Sequence, residues 1–231
     1  DDLSKDQSYF LHQLGQKELK HTLFPLGKML KKDVRNIAKE YSLINFDKKD
    51  STGICFIGER KYNDFVEQFL SVNKGEIQSL DGEILGNHNG HIYFTIGQRK
   101  GLGIGARKSA NDKPWYVAKK DIVKNTIFVV QGENHPALLS QEIIVNDINW
   151  INASPNSFPI ECFAKVRYRD QDKLCSIFLL DNGSYLIKFN SKEKAITPGQ
   201  SIVFYDKKNY CLGGGIISKR DIPFLGEKID E

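Results

Sequence analysis

The sequence predicts an α+β protein, in which a helical segment is followed by a chain built almost entirely of short β-strands. Two observations predict this class. Apolar residues recur at helical spacing up to about residue 73 and alternate from Gly75 onward. Turn-forming pairs such as Asp81-Gly82 and Asn89-Gly90 then divide the chain into short pieces. Short strands joined by tight turns favour a small closed barrel or a sandwich over a parallel sheet.

Three helices are expected in the first segment. The first begins at Ser4, whose hydroxyl can cap a helix while Gln7 reaches back to the amide of the cap. A second helix is expected over residues 31–41 and a third over about 61–71, because apolar residues recur there at intervals of three and four.

The rest of the chain predicts strands separated by turns. We expect strands at residues 91–95, 115–119, 126–131, 142–146, 160–169, 174–180, 184–189 and 201–205. The change of period near residue 73 and the connector Gly132-Glu133-Asn134-His135-Pro136 suggest two boundaries. The expected domains are therefore residues 1–73, 74–132 and 133–231.

Composition excludes several classes of protein. The 231 residues are 40% hydrophobic and 27% charged, as in ordinary globular domains. No apolar run approaches the roughly 20 residues that cross a bilayer, so we expect neither membrane insertion nor secretion. The four cysteines show no CxxC spacing, which indicates a reducing compartment and no zinc ribbon. His88 and His91 flank a turn but lack a third metal ligand at suitable spacing, so no metal site is expected.

Positive charge is concentrated in one stretch of the chain. Residues 91–130 hold eight Lys or Arg against two Asp, a surplus of +6, although the whole chain carries only +4. Within this stretch, the segment from Gly97 to Lys108 is rich in glycine and basic residues, among them Arg99 and Lys100. Such a segment suits a phosphate backbone, although a solvated basic face is an equally simple interpretation. It does not match the nucleotide P-loop.

Cys55 is the cysteine with the clearest chemical potential. It lies on a loop bounded by Gly53 and Gly58, and the nearby Lys48, Lys49 and Arg60 would favour its thiolate. Its apolar neighbours also allow a structural, buried role. Cys162, Cys175 and Cys211 fall within strand patterns, and a core position is expected for them.

Five motifs together resemble the tRNA-specific 2-thiouridylases, occur in that family's order and span almost the whole chain. They are Lys5-Asp6-Gln7-Ser8-Tyr9-Phe10, Phe24-Pro25-Leu26-Gly27, Lys49-Asp50-Ser51-Thr52-Gly53-Ile54-Cys55-Phe56-Ile57-Gly58, Thr95-Ile96-Gly97-Gln98-Arg99-Lys100-Gly101-Leu102-Gly103 and Pro114-Trp115-Tyr116-Val117.

The resemblance implies an architecture and a missing part. Residues 1–73 would be the tail of an α/β catalytic domain, followed by a small β-rich central domain and a C-terminal antiparallel β-barrel. Family members open with a domain carrying a Ser-Gly-Gly-x-Asp-Ser pyrophosphate loop and a first catalytic cysteine, and neither occurs in this sequence. ATP with Mg²⁺ would be bound by that domain, with no cofactor on this chain. We therefore expect the chain alone to be inactive.

The resemblance also implies a reaction and its residues. The family thiolates the wobble uridine of tRNA in an ATP-dependent reaction, in the cytoplasm. Cys55 matches the second catalytic cysteine, which receives a persulfide from a sulfur-donor protein and then forms a disulfide with the first cysteine. The family's tRNA contacts match Lys5, Asp6, Gln7, Arg167, Tyr168 and Gln200. The partners implied are tRNA and the sulfur donor, with no membrane or DNA partner.

Two questions stay open at this level. Strand alternation would place Lys165, Arg167 and Arg169 on one face as a row that tracks phosphates, whereas Tyr168 would point the other way, as a core tyrosine or, if the strand is distorted, as a base-stacking ring. The chain could also be a non-catalytic tRNA-binding module in which Cys55 is structural. The β half alone would suit a translation-factor-like barrel without sulfur chemistry.

Overall fold

The computed structural model describes residues 1–49, 65–70, 72–105 and 113–229. It confirms the α+β class, with a short helical segment, a four-stranded sheet and a closed six-stranded barrel in chain order. The expected boundaries near residues 73 and 132 stay predictions. Within the described part of the chain, no helix combines the length and apolar character needed to span a bilayer.

The N-terminal segment consists of short helical turns and one longer helix. Two 3-10 helices, Leu3–Lys5 and Ser8–Leu11, precede α1 (Gln16–Leu19) and α2 (Lys31–Glu40). The helix expected over 31–41 is confirmed. Its apolar stripe is poorly covered by the described residues, since Ile37 is 42% and Tyr41 74% exposed.

The expected cap at Ser4 is wrong. Asp2 accepts the backbone N–H of Ser4 at 3.1 Å and the Ser4 hydroxyl at 2.6 Å, so Ser4 donates where it was expected to accept. Gln7 precedes the second 3-10 helix without a side-chain cap. The carboxylate of Asp2 is a stronger acceptor than a hydroxyl and lies one residue before the first turn, which explains the earlier start.

The central sheet has the strand order β2-β1-β4-β3. Its strands are β1 (Gly75–Ser79), β2 (Ile84–His88), β3 (Trp115–Asp121) and β4 (Thr126–Gln131). The β1–β4 pair is parallel and the other two pairs are antiparallel. Ile77, Val117 and Ile127 form its core together with Phe94, Ile96 and Leu102 from the segment that follows β2.

The strand expected at 91–95 is wrong. Residues His91–Tyr93 form a 3-10 helix, and Phe94 and Ile96 then insert into the core of the sheet. The carbonyl of Phe94 accepts from Lys120 Nζ at 3.0 Å, so its backbone is paired with a side chain instead of a strand. Burial of these apolar side chains therefore outweighs the alternation that predicted a strand.

The C-terminal unit is a closed barrel, which decides between the barrel and the sandwich. Its order is β10-β5-β8-β7-β6-β9. The strands are β5 (Leu139–Trp150), β6 (Ile160–Lys165), β7 (Lys173–Leu179), β8 (Tyr185–Lys194), β9 (Ser201–Tyr205) and β10 (Cys211–Arg220). All of the pairs are antiparallel, and the core is filled by aliphatic side chains with Phe189 and Phe204.

Arg220, at the end of β10, ties the barrel to the central sheet. One Nη donates to the carbonyl of Ala118 in β3 at 2.5 Å, and the other donates to Ser140 Oγ in β5 at 3.1 Å. Nearby, Lys119 of β3 forms an ion pair with Glu227. Burial lowers the pKa of the Arg220 guanidinium to about 10, so it remains charged at neutral pH.

We expect Arg220→Ala to lower the free energy of unfolding by about 2 to 4 kcal/mol, because the change leaves a partly buried carbonyl and hydroxyl without their charged donor. Urea unfolding followed by tryptophan fluorescence measures the difference. Lys219→Ala, at the exposed neighbouring position, is the matched control and should change little. Equal shifts in the two variants would show that Arg220 does not join the two units.

Candidate nucleic-acid interface

The N-terminal segment is fixed to the barrel along a line of hydrogen bonds, which we call the seam (residues 5–14 against β5, β9 and β10). Tyr9 Oη donates to the carbonyl of Ser201 at 2.8 Å, and His12 Nε2 lies 3.1 Å from Ser201 Oγ. Asn149 Nδ2 donates to the carbonyl of His12 at 2.8 Å. Segments distant in sequence are therefore held in one place by named polar contacts.

His12 fits into the seam because the barrel strand beside it lacks side chains. A Cβ at Gly214 in β10 would collide with the carbonyl oxygen of Ile202 and would lie 2.9 Å from His12 Nδ1, so neither the neighbouring strand nor the ring leaves room for a side chain. Sequence reasoning misses His12, and the run Gly213-Gly214-Gly215 is the only signal that something approaches this strand closely.

The seam brings together most of the tRNA contacts expected from the resemblance. Lys5, Asp6 and Gln7 directly precede its hydrogen bonds, and Gln200 adjoins Ser201. The ring of Phe10 lies 4.5 Å from that of Tyr168, centroid to centroid. Asp6 accepts the backbone N–H of Ser8 at 2.8 Å, whereas Lys5 and Gln7 are exposed. The role of these side chains in binding RNA stays a prediction.

The expected row of cations on β6 is wrong. The strand ends at Lys165, and Arg169 adopts a positive φ of 64°, so residues 166–169 turn and do not alternate. Lys165 Nζ lies 3.6 Å from Asp172 and over the ring of Tyr205. Backbone pairing of β6 with β9 stops at Lys165, which explains why the row does not form.

Arg167 has a structural role that the sequence does not indicate. Its Nη2 donates to the carbonyl of Ile96 at 2.9 Å and to that of Ala195 at 2.8 Å, so it joins the central unit to the barrel. Two of its five donor positions are thus used inside the protein. Its Nε is buried without a hydrogen-bond partner among the described residues, and its contact with tRNA stays a prediction.

Tyr168 lies in the turn after β6, half-buried, and not in the core of the barrel. It packs against Phe10 of the seam, and the guanidinium of Arg169 lies 5.1 Å from the centre of its ring. This answers the question of which way it points. The distortion that a stacking role would need is present as a turn, and the ring belongs to a surface aromatic cluster.

A second basic feature is the loop that carries Arg99 and Lys100. It is held on β3 by two backbone hydrogen bonds, from Gly97 N to the carbonyl of Val117 at 2.7 Å and from Val117 N to the carbonyl of Gln98 at 3.0 Å. Gly97 has a φ of 81°, and a Cβ there would lie 2.5 Å from that of Ala195. Both cationic side chains are exposed and make no ion pair with another described residue.

Cys55 and its loop lie outside the described residues, so its assignment stays a prediction. The other three cysteines are free thiols. Cys162 and Cys175 face each other in the barrel core with their Sγ atoms 3.8 Å apart, and the contact with Cys162 together with burial raises the pKa of Cys175. Burial raises the pKa of Cys211 to about 11. Cys175 and Cys211 are therefore weak nucleophiles near neutral pH, and Cys162 is shielded by burial.

The two histidines considered as metal ligands are used within the protein. His88 Nε2 lies 3.1 Å from the carbonyl of Asn125, and its Nδ1 accepts the N–H of Gly90 at 3.0 Å. His91 Nδ1 lies 3.2 Å from Asn125 Oδ1. The residues that the structure describes contain no group of three or more His, Cys, Asp or Glu that could hold a metal ion.

Comparison with known protein families supports the resemblance along the chain. Three family models match in succession: a tRNA methyl transferase HUP domain at residues 1–59, a tRNA methyl transferase PRC-barrel domain at 63–131 and an aminomethyltransferase beta-barrel domain at 140–217. Together they cover the N-terminal segment, the central sheet and the barrel.

Curated relatives match over nearly all of this chain. The sequence is 51% identical over 216 residues to the tRNA-specific 2-thiouridylase MnmA of Francisella philomiragia, which is 94% of this chain and 60% of the relative. It is 49% identical over 226 residues to the MnmA of Pseudomonas fluorescens, or 98% of this chain and 60% of the relative. It is 48% identical over 218 residues to the MnmA of Legionella pneumophila, or 94% of this chain and 60% of the relative. The chain thus spans about 60% of the length of these relatives.

The seam should weaken in mild acid. His12 is 4% exposed, and burial lowers its pKa below the ordinary value of 6.5. The unfolded chain therefore takes up a proton that the folded chain resists, and the stability due to His12 is complete above pH 6.5 and is lost as the pH falls below it. We expect His12→Gln to destabilise the protein more at pH 8 than at pH 5.5, as measured by urea unfolding.

His21→Gln, at an exposed position, is the control and should cost the same at both values of pH. Burial also lowers the pKa of His88 and His135, so part of the acid sensitivity will remain in the His12 variant. A cost of His12→Gln that is independent of pH would contradict the assignment.

Proposed function

Because the chain belongs to the family of tRNA-specific 2-thiouridylases, we propose that it supplies the tRNA-binding surface and the sulfur-carrying cysteine of an enzyme that converts the wobble uridine of tRNA to 2-thiouridine. The observation that carries this proposal is the seam. There, the contacts of Phe10 with Tyr168 and of Tyr9 with Ser201 hold together the three parts of the sequence that carry Lys5 to Gln7, Tyr168 and Gln200, the residues that resemble the family's tRNA contacts.

Cys55 would carry the sulfur as a persulfide. The terminal sulfur attacks C2 of the activated uridine, and a C–S bond forms as the activated oxygen leaves with its electron pair. A second thiolate, from the cysteine that the family carries outside this sequence, then breaks the S–S bond. That cysteine forms a disulfide with Cys55, and the sulfur stays on the base as 2-thiouridine. The donor would be a persulfide-bearing protein, and tRNA as substrate implies the cytoplasm.

The described residues do not fit an ATP site. The glycine-rich sequence from Gly97 does not match the P-loop pattern GxxxxGK[ST], because Arg107 and not glycine precedes Lys108-Ser109, and the described residues hold no acidic cluster for Mg²⁺. Activation of the uridine is therefore not assigned to these residues. Their proposed part is to hold the tRNA.

A second candidate is a tRNA-binding module without sulfur chemistry. The sequence around Cys55 favours it in one respect, because Ile54, Phe56 and Ile57 would suit a buried position. Both candidates use the same RNA-binding surfaces, so the reactivity of Cys55 separates them.

We expect Cys55 to be the most reactive of the four thiols. Cys162 and Cys175 are shielded in the barrel, and burial raises the pKa of Cys211 to about 11. Brief alkylation of the folded protein at pH 7.5, followed by peptide mapping, should label Cys55 at least about tenfold faster than the others. Cys55→Ser serves as control and should remove the fast phase. Preferential labelling of another cysteine, with Cys55 protected, would favour the binding module.

Arg99 and Lys100 should contribute phosphate contacts. We expect the double variant Arg99→Gln/Lys100→Gln to reduce the slope of log affinity for tRNA against log salt by about one to two units. With each phosphate contact that is lost, fewer counterions are released from the RNA on binding. Affinity measured by fluorescence anisotropy between 50 and 300 mM salt gives the slope. Lys207→Gln/Lys208→Gln, at two exposed positions of the barrel, is the charge-matched control. An unchanged slope in the loop variant would place Arg99 and Lys100 on a solvated face.

A further inference from the structure

A cleft of about 640 Å³ opens beside Arg99, where the central sheet meets the connector to the barrel. Its walls come from separate parts of the chain: the basic loop, the start of β3, the end of β4 and the connector. Seven polar side chains line it: Arg99, Lys113, Tyr116, Gln131, Glu133, Asn134 and His135. None of the motifs that carry the resemblance places Lys113, Asn134 or His135 in a site.

The walls of the cleft are fixed by hydrogen bonds. Gly132 N donates to the carbonyl of Pro114 at 2.9 Å, and Gln131 Nε2 donates to the carbonyl of Lys113 at 3.1 Å. Ala137 N donates to His135 Nδ1 at 3.1 Å. The backbone at the start of the connector and the imidazole of His135 are therefore held in position before any ligand arrives, which reduces the entropic cost of binding.

The cleft offers many more hydrogen-bond donors than acceptors. Arg99 and Lys113 have exposed cationic ends, and neither forms an ion pair with another described residue. Asn134 adds an exposed amide. Because Nδ1 of His135 accepts a hydrogen bond, a neutral imidazole there carries its proton on Nε2 and is a further donor.

Among the described residues that line the cleft, the acidic side chain is already paired with a cation. Glu133 Oε2 lies 3.7 Å from Lys194 Nζ, and the same ammonium lies 5.9 Å from the centre of the Tyr116 ring. The cleft therefore keeps a net positive charge from Arg99 and Lys113. A ligand that matches it must bring acceptors and negative charge and must need few acceptors from its surroundings in return.

We propose that this cleft binds the phosphodiester backbone of an RNA strand, as a second contact separate from the seam. A phosphodiester offers two anionic oxygens and no donor, which suits Arg99 and Lys113, and the adjoining ribose and its 2′-hydroxyl suit the neutral side chain of Asn134. The inference rests on the proposed function, since it takes tRNA as the strand.

Two single variants separate charge from hydrogen bonding at this cleft. Lys113→Gln should reduce the slope of log affinity for tRNA against log salt by about 0.7 to 0.9 units, the value for one phosphate contact. Asn134→Ala should weaken affinity about fivefold and leave the slope unchanged, because it removes a neutral hydrogen bond. Both side chains are exposed, so the fold should persist in each variant. Lys219→Gln, an exposed cation on β10, is the matched control and should change neither quantity.

The outcomes distinguish this inference from the function on which it rests. If the unaltered protein binds tRNA with a steep salt dependence but Lys113→Gln keeps the full slope, the cleft is not a phosphate site and the proposed function survives. If Lys113→Gln lowers the slope while Asn134→Ala has no effect on affinity, the cation acts only through the general field, and a built site at the cleft is overturned. If the unaltered protein does not bind tRNA, both are overturned.

Discussion

Two guanidinium groups, those of Arg167 and Arg220, are the contacts on which the arrangement of the two β units depends, and Arg167 has the closer link to the candidate site. One nitrogen of Arg167 donates to the carbonyl of Ile96, from the loop packed on the central sheet, and to that of Ala195, in the chain between β8 and β9. The loop can approach this point because Gly97 lacks a Cβ, and the methyl group of Ala195 is buried in the core of the sheet. Without a donor at this position, two carbonyls at the junction would lose a charged partner, which typically costs more than an ordinary hydrogen bond contributes.

Arg167 also shows what local pattern can and cannot predict. Alternation along residues 163–169 predicts a row of cations on a strand, but the strand ends at Lys165, where its backbone pairing with β9 stops. For elements with a strong local pattern, the expected positions agree well with the structure. α2, β4 and β9 lie where expected, and the bounds of β4 and β9 are the same as predicted. The strand expected at residues 91–95 does not form, because the apolar residues of this segment cover the central sheet. The sequence does not predict β10, because its three glycines, which leave room for close neighbours, weaken the strand pattern.

In the candidate site, too, sequence motifs predict some features and only the structure reveals others. Motifs that are local in sequence assign Lys5 to Gln7, Tyr168 and Gln200 to tRNA binding, and this assignment stays a prediction. That Phe10 packs on Tyr168 and that Tyr9 binds the carbonyl of Ser201 could not be predicted, since these contacts join residues more than 150 positions apart. The cleft shows the limit most clearly, because Lys113 and Asn134 belong to no motif and gain significance only from the shape that brings them beside Arg99.

On the proposed function, the two surfaces differ in what they can offer a tRNA. The seam presents an aromatic cluster, an amide-rich edge and both signs of charge, with Lys5 next to Asp6 and Lys165 paired with Asp172. A surface of mixed charge attracts a polyanion only weakly. The contribution of the seam to RNA binding would therefore come from contacts that depend on the shape or the bases of the RNA. The basic loop and its cleft have the opposite character, with free cations and one neutralised acid, and suit attraction to phosphates whatever the sequence. Because Arg167 joins the loop to the barrel at Ala195, it sets the distance between the two surfaces, and a rigid spacing of this kind lets attraction at one surface place the RNA correctly on the other.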